Sequence, residues 1–275
     1  MSRPALAQRY PTALVTGAGA GLGRAFAEML LAEGVAVWGT SRRLDRLPVA
    51  PRFHPLEFDL AAGNAAAAAL VQQVEQESGG LSLLVHNAGY GIFGAFEGVP
   101  VGDWCAQIDG LLGRSVVLTH AALTAMRPRG RGAIVNVSSL AAELPIPFLS
   151  GYNVAKAGLS ALMESLMLEA AGTGITFLDF RPGDYRTGFN QSMSAAFTVA
   201  PAGAAGRVWA ALEATLAAAP EPARAAADLR RALRRGRSGV VRSGGFFQAV
   251  LAPLGLRFFP QGWRRAALAR YHHLS

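Results

Sequence analysis

The chain has 275 residues, 51% of them hydrophobic and only 16% charged, with 32 Gly and the single cysteine Cys105. So much apolar side chain has to be buried, which excludes a disordered or fibrous protein, and one cysteine excludes a disulfide framework or a cysteine-built zinc site. The net charge of +8 belongs to the tail: residues 1–220 carry 15 Lys and Arg against 16 Asp and Glu, whereas residues 221–275 carry 11 Arg against Glu221 and Asp228.

Ala13–Thr16 predicts a first strand, followed by a glycine cluster and a helix from Leu22 to about Glu33. Val35–Gly39 is the second strand, then a basic turn at Ser41–Arg46, a third strand at Phe53–Phe58 and an alanine-rich helix over 64–77. Leu81–His86, Ala133–Val137 and Ile175–Phe180 predict three further strands, separated by a long helix from Asp103 to Met126 and another from Tyr152 to Ala170. From Phe189 to Gly206 the sequence is small-residue rich and aperiodic, as a mobile loop would be; helices over 207–218 and 222–235 and a strand at Gly239–Arg242 follow. Alternating elements with continuous apolar strands imply an α/β fold: a doubly wound parallel sheet in three α/β/α layers, with a helical C-terminal extension. One domain is expected, with its core over about 11–190 and 220–245, a substrate loop over 187–206 and a basic, apolar extension over 245–275. No apolar run reaches the length of a membrane span, and the N-terminus does not read as a signal peptide, so a cytoplasmic protein is expected.

In the tail, arginine alternates with Phe246-Phe247, Val250-Leu251, Leu254, Leu256, Phe258-Phe259 and Trp263. A solvated arginine face on amphipathic helices is the simplest reading, and peripheral contact with an anionic membrane uses the same ingredients. Nucleic-acid binding is not expected, because no recognition motif accompanies the charge. A second count concerns lysine. Of 26 Lys and Arg residues 25 are Arg, and the one lysine is Lys156. A position that needs a compact ammonium cannot take a guanidinium, which singles out Lys156.

The first strand runs into Thr16-Gly17-Ala18-Gly19-Ala20-Gly21-Leu22-Gly23 at the opening of a helix. Glycines there allow a tight turn and let backbone N–H groups approach a pyrophosphate at a helix N-terminus, at the junction where parallel sheets bind ligands. The second strand ends in Ser41-Arg42-Arg43, with no carboxylate until Asp45. A carboxylate at that point would take a free ribose 2′-hydroxyl, whereas guanidinium groups suit a 2′-phosphate, so NADP(H) is favoured over NAD(H). Solvated turn arginines are the alternative.

Four further stretches fall in order: Asn87-Ala88-Gly89, Asn136-Val137-Ser138-Ser139, Tyr152-x-x-x-Lys156, and Pro182-Gly183-Asp184-Tyr185-Arg186-Thr187. With the glycine turn, they make residues 11–190 resemble the short-chain dehydrogenase/reductase family, in its compact Rossmann-type single-domain branch. The resemblance implies an NAD(P)-dependent oxidoreductase acting on alcohols and carbonyls, commonly a homodimer or homotetramer, with no metal. It makes Ser139, Tyr152 and Lys156 the catalytic residues, with Ser138 as the rival serine. It places Gly17, Gly19, Gly21, Leu22, Gly23, Ser41, Arg42, Arg43, Asp59, Leu60, Asn87, Ala88, Gly89, Pro182, Gly183 and Thr187 at the cofactor, with Lys156 on the nicotinamide ribose. Asp59 has a second reading as a turn residue. Tyr152 and Lys156, at i and i+4, share a helix face, and an ammonium there is expected to lower the tyrosine pKa. Ser139 would hydrogen-bond the substrate oxygen.

The resemblance also implies an asparagine in the long helix that helps hold a proton-passing water. None occurs between Asn87 and Asn136; an ungapped alignment puts Leu111 at that place and a one-residue shift puts Gly110 there. Three outcomes are open: backbone carbonyls hold the water, Ser115 or Asp109 substitutes, or the protein binds cofactor and turns over little, as a regulatory or scaffold protein would. Ile92, Phe93, Leu144, Ile146, Phe148, Phe189, Met193 and Phe197 supply an apolar substrate side, which suits a hydrophobic ketone, aldehyde or secondary alcohol. Glu143 and Asp184 near the mouth could instead select a polar or cationic group.

Overall fold

The structure, a computed structural model, describes residues 5–194, 201–245, 249, 255 and 259–274. Seven strands, β1 (Thr12–Val15), β2 (Ala36–Ser41), β3 (Phe53–Glu57), β4 (Leu83–His86), β5 (Gly132–Val137), β6 (Ile175–Pro182) and β7 (Gly239–Ser243), form one sheet of order β3-β2-β1-β4-β5-β6-β7. Every neighbouring pair is parallel. The helices are α1 (Leu6–Arg9), α2 (Gly21–Ala32), α3 (Gly63–Ser78), α4 (Val101–Ile108), α5 (Arg114–Met126), α6 (Ser150–Glu169), α7 (Phe189–Ser194), α8 (Gly203–Ala217), α9 (Pro222–Arg235) and α10 (Gln261–Tyr271).

Burial explains why the central strands read as unbroken apolar runs: every residue of β1, β4, β5 and β6 is buried, because helices cover both faces. Successive side chains still point to opposite sides. Ala13 and Val15 meet Phe26, Ala27 and Leu30 of α2 and Leu229 and Leu233 of α9, whereas Leu14 joins Val71 and Val74 of α3, Leu118 of α5 and Met163 of α6. β3 lies at the edge and exposes His54 and Pro55, a position where a proline costs no ladder hydrogen bond. Glu33 at the end of α2 fastens α9 through Arg234 Nη2 at 2.8 Å and accepts from the Leu6 N–H.

Two expectations change. The long helix is not uniform: between α4 and α5 the turn Asp109–Gly113 is wound as a π-helix. The stretch over 189–206 is not simply a loop, since α7 opens at Phe189 and α8 already at Gly203, four residues before its periodicity begins in the sequence. Phe197 and the tail residues Phe246, Phe247, Val250, Leu251, Leu254, Leu256 and Phe258 lie outside the described residues. Among the described residues no helix is long and apolar enough to cross a membrane.

Candidate active site

The strand order reverses at β1 and β4, whose C-terminal ends diverge to leave a crevice. The glycine turn fills its floor. Gly17 and Gly21 adopt φ of +70° and +53°, which side-chain-bearing residues rarely take. A Cβ on Gly23 would overlap the Gly17 carbonyl oxygen and the Asn87 amide, and one on Gly19 would press 3.0 Å from Ser41 Oγ. The turn is held open from outside: Gly17 N–H donates to Thr40 Oγ1 at 3.2 Å, and Asn87 Nδ2 donates to the Thr16 carbonyl at 3.1 Å. Thr16 Oγ1 accepts from the Asn87 and Ala88 N–H groups, both at 3.0 Å. Ala20, which caps α2, gives no side-chain bond, so the first N–H groups of the helix find no cap there. Thr187 lies against Gly21, within 3.2 Å of a Cβ built there, which brings the segment after β6 over the turn; Gly183 N–H is tied to the Ser243 carbonyl at 2.7 Å. Backbone exposed by glycines at a bare helix N-terminus fits a dinucleotide pyrophosphate.

Around the adenosine end, Ser41 closes β2, and Arg42 and Arg43 are exposed. Arg43 is engaged by Asp45 at 2.6 Å, which leaves Arg42 as the more available guanidinium of the two. Asp59 caps the short turn Leu60–Ala62 by accepting from Ala61 N–H at 2.9 Å, so the turn role is present whatever else it does. Leu60 is buried, and its carbonyl accepts from Arg114 Nε at 3.1 Å. Leu22 packs on the core and Pro182 ends β6.

Ser139, Tyr152 and Lys156 come together where β5 meets α6. Ser139 lies close enough to Tyr152 to pull its phenol down, and its Oγ accepts from Ala141 N–H at 3.0 Å, while Ser138 instead donates to the buried Asp179. The structure thus separates the two serines. Lys156 Nζ stands 5.4 Å from the centre of the Tyr152 ring and donates to the Val137 carbonyl at 2.8 Å. The expected lowering of the tyrosine pKa is not what this arrangement gives. Burial pushes the phenol up to about 12, Ser139 pulls it down and Asp184 adds to the rise. Burial brings the Lys156 ammonium down to about 8, against the opposing pull of Asp179.

Beneath Lys156 a row of polar residues crosses three strands in register, His86 opposite Asn136 and Asn136 opposite Asp179. All three are buried. Burial and the Lys156 charge bring His86 down to about 3, so it is neutral at physiological pH. Asp179 binds Arg181 at 2.6 Å, and Arg181 and Arg242 both bind Glu143. Glu143 is therefore neutralised by two guanidinium groups and does not offer a bare charge to the mouth. His86, Asp179 and Arg181 were not singled out from the sequence, although an Asp and an Arg inside the apolar run of β6 were the available signal.

The π-turn carries Leu111, the residue at the place of the implied asparagine. Its side chain is buried, within 3.4 Å of a Cβ built on Gly89, and its carbonyl accepts from Ser115 Oγ. Ser115 also lies 3.0 Å from His86 Nδ1, and Asp109 pairs with Arg114. Neither of the two polar substitutes considered is aimed at Lys156 by these bonds.

On the other side of Tyr152 lies an apolar cluster of Phe93, Leu149, Met193, Val208 and Trp209, with Ile146, Phe148, Phe189 and Leu212 packed against it. The Phe189 ring is 5.5 Å from that of Tyr152, and Phe93 sits 5.0 Å from Trp209 and 5.6 Å from Phe148. Phe148 takes a φ of +65°, a strained conformation for an aromatic residue. Ile92 and Leu144 are half-buried and outside the cluster core. Val208 and Trp209 of α8 were missed in the sequence, since eleven residues separate Trp209 from Phe197, the last apolar residue singled out before it.

The short chain dehydrogenase family profile matches residues 11–197. A relative from Bacteroides thetaiotaomicron, a 3-ketodihydrosphingosine reductase, is 33% identical over 65% of this chain and 65% of its own length. A second from Ornithobacterium rhinotracheale, an NADPH-dependent 3-dehydrocapnine reductase, is 30% identical over 64% of this chain and 65% of its own length. The chain thus spans about two thirds of the length of these relatives. A short-chain dehydrogenase crystal structure from Streptomyces avermitilis superposes with a TM-score of 0.79 at 29% identity, over 96% of this chain and 97% of that one. With the profile match covering the glycine turn, the Ser139–Tyr152–Lys156 cluster and the segment after β6, the chain belongs to the short chain dehydrogenase family of NAD(P)-dependent oxidoreductases.

Proposed function

We propose that this protein is an NADP(H)-dependent reductase of a hydrophobic ketone or aldehyde, with Tyr152 as proton donor. The observation that carries the reading is the apolar cluster of Phe93, Met193, Trp209 and Phe189 packed against Tyr152, over whose ring Lys156 also stands. Such a wall with a single oriented polar edge suits an apolar carbonyl. A nicotinamide held by the glycine turn and the segment after β6 would supply the hydride for the carbonyl carbon. Ser139 holds the carbonyl oxygen and stabilises the charge that gathers there. Tyr152, raised to about 12, keeps its proton at neutral pH and gives it to that oxygen, forming the alcohol. Lys156, charged below about pH 8, steadies the phenolate left behind until solvent returns the proton.

NADP(H) is preferred on the adenosine side because β2 ends at Ser41, Arg42 is exposed and the nearest carboxylate, Asp45, is taken by Arg43. One relative named as NADPH-dependent supports this. The test is NADPH oxidation, followed by absorbance across a panel of apolar ketones and aldehydes, with NADH in parallel. Tyr152→Phe should lose turnover by at least about a thousandfold while keeping NADPH binding, the upper range of a general acid's contribution being reached when it is removed outright. NADPH binding without turnover on any substrate would favour the second reading, a cofactor-binding regulator, which Leu111 in the π-turn motivates.

A further inference from the structure

We propose that the C-terminal helix α10 docks this protein on the surface of an anionic lipid bilayer, with the apolar cluster beside Tyr152 on the same side of the molecule. After Asp228 the chain has ten arginines and no acidic residue up to its end. Within that stretch α10 presents Trp263 and Tyr271 to solvent and its flanks present Phe259 and Leu274, with Trp263 69% exposed and its ring stacked 6.2 Å from Phe259. Arg265 and Arg270 are exposed on the same helix. Aromatic rings with guanidinium groups and no carboxylate match the chemistry of an acidic headgroup layer, where rings insert and cations pair with phosphate. An acidic protein surface would satisfy the arginines but not the exposed rings. Eleven residues cannot cross a bilayer, so the helix would lie along its surface.

The placement is fixed by described bonds. Arg264 Nη2 donates to the Glu143 carbonyl at 3.1 Å and Arg207 Nε donates to the His273 carbonyl at 3.1 Å. The helix is thus strapped to α8, which supplies Val208 and Trp209 to the apolar cluster, and to the turn that follows Ser139. Glu143 also receives Arg242, which lines a cavity of about 250 Å³ together with Arg224, Arg231 and Arg235 of α9 and one carboxylate, Asp228, that pairs with Arg231. The aromatic helix and this arginine-lined cleft therefore meet at one residue. A headgroup phosphate in the cleft and rings in the acyl boundary would hold the protein together.

Vesicle flotation of the full chain, without cofactor, tests this independently of the reductase reading. The protein should float with vesicles of phosphatidylcholine containing about one third phosphatidylglycerol, stay down with phosphatidylcholine alone, and be released as salt screens the charge. The pairs Phe259→Ser with Trp263→Ser, and Arg265→Gln with Arg270→Gln, should each lower the bound fraction about tenfold while far-UV circular dichroism stays unchanged. Failure of the parent to float at low salt, equal flotation with neutral vesicles, or variants that float like the parent would each overturn the proposal. So would a change of oligomeric state in the aromatic pair by light scattering without lipid, which would make the face a contact between copies.

Discussion

The carboxylate of Asp179 pulls on Lys156, and it sits wholly inside β6 with Arg181 and Ser138 as its partners. Asp179→Asn removes that pull, so the ammonium loses its proton at a lower pH than about 8. The alkaline limb of kcat/KM should move to lower pH, which a pH profile of the variant beside the parent checks. Stability should also fall, because Arg181 loses its buried partner and keeps Glu143 and the more distant, exposed Glu164. His86 gives a second pH effect with a definite sign. Its folded pKa of about 3 lies far below the unfolded value of about 6.5, so the unfolded chain binds the extra proton throughout that window. Stability should therefore drop on acidification from about pH 6.5 toward pH 3, by about 1.4 kcal/mol per pH unit from this residue. In His86→Asn, urea midpoints across that range should show a shallower slope, even though the variant starts less stable through loss of its contact with Ser115. These buried polar residues escaped the sequence reading because a histidine ending an apolar strand looks like any core histidine until its cross-strand neighbours are known.

At the scale of elements, the glycine turn carries its own test. Gly23→Ala puts a methyl group into the Gly17 carbonyl and the Asn87 amide, so both the turn and its tie to β4 must shift. Fluorescence titration should show at least about a tenfold loss of NADPH affinity, and thermal melts a loss of about 1–3 kcal/mol from overpacking. The alternation of strands and helices, the parallel sheet and the two helical layers were legible from the sequence because each central strand is buried on both faces and each crossover helix has its own period. α9 was legible to the residue, with Pro222 at its first turn and Gly236 just beyond its end. The π-turn was not, since one extra residue per turn leaves no trace in a hydrophobic pattern, and it lies where the resemblance called for an asparagine. Nor was α7, a six-residue helix whose stability comes from Phe189 and Met193 packing on Tyr152 and Phe93 rather than from its own period.

For the molecule as a whole, the family profile ends at residue 197, but the sheet does not. β7 pairs with β6 in register from Leu178 with Gly239 to Pro182 with Ser243, and α9 seals one face through Ala225, Leu229 and Leu233. A chain ending at residue 197 would bare an apolar edge strand and the α2 surface that α9 covers. It should be recovered as aggregate, or as a species that melts without cooperativity by circular dichroism, while a chain ending at residue 245 melts cooperatively. A soluble, cooperative fragment over 1–197 would contradict the single core.

The sole lysine of this chain, Lys156, lies buried in the middle of α6 beneath the site. A lysine-specific protease therefore has one peptide bond to cut in the whole protein, and that bond is out of reach until α6 unwinds. The rate of that single cleavage reports how often the heart of the molecule opens, and any ligand that settles against Tyr152 and Lys156 will be read directly as slower cutting.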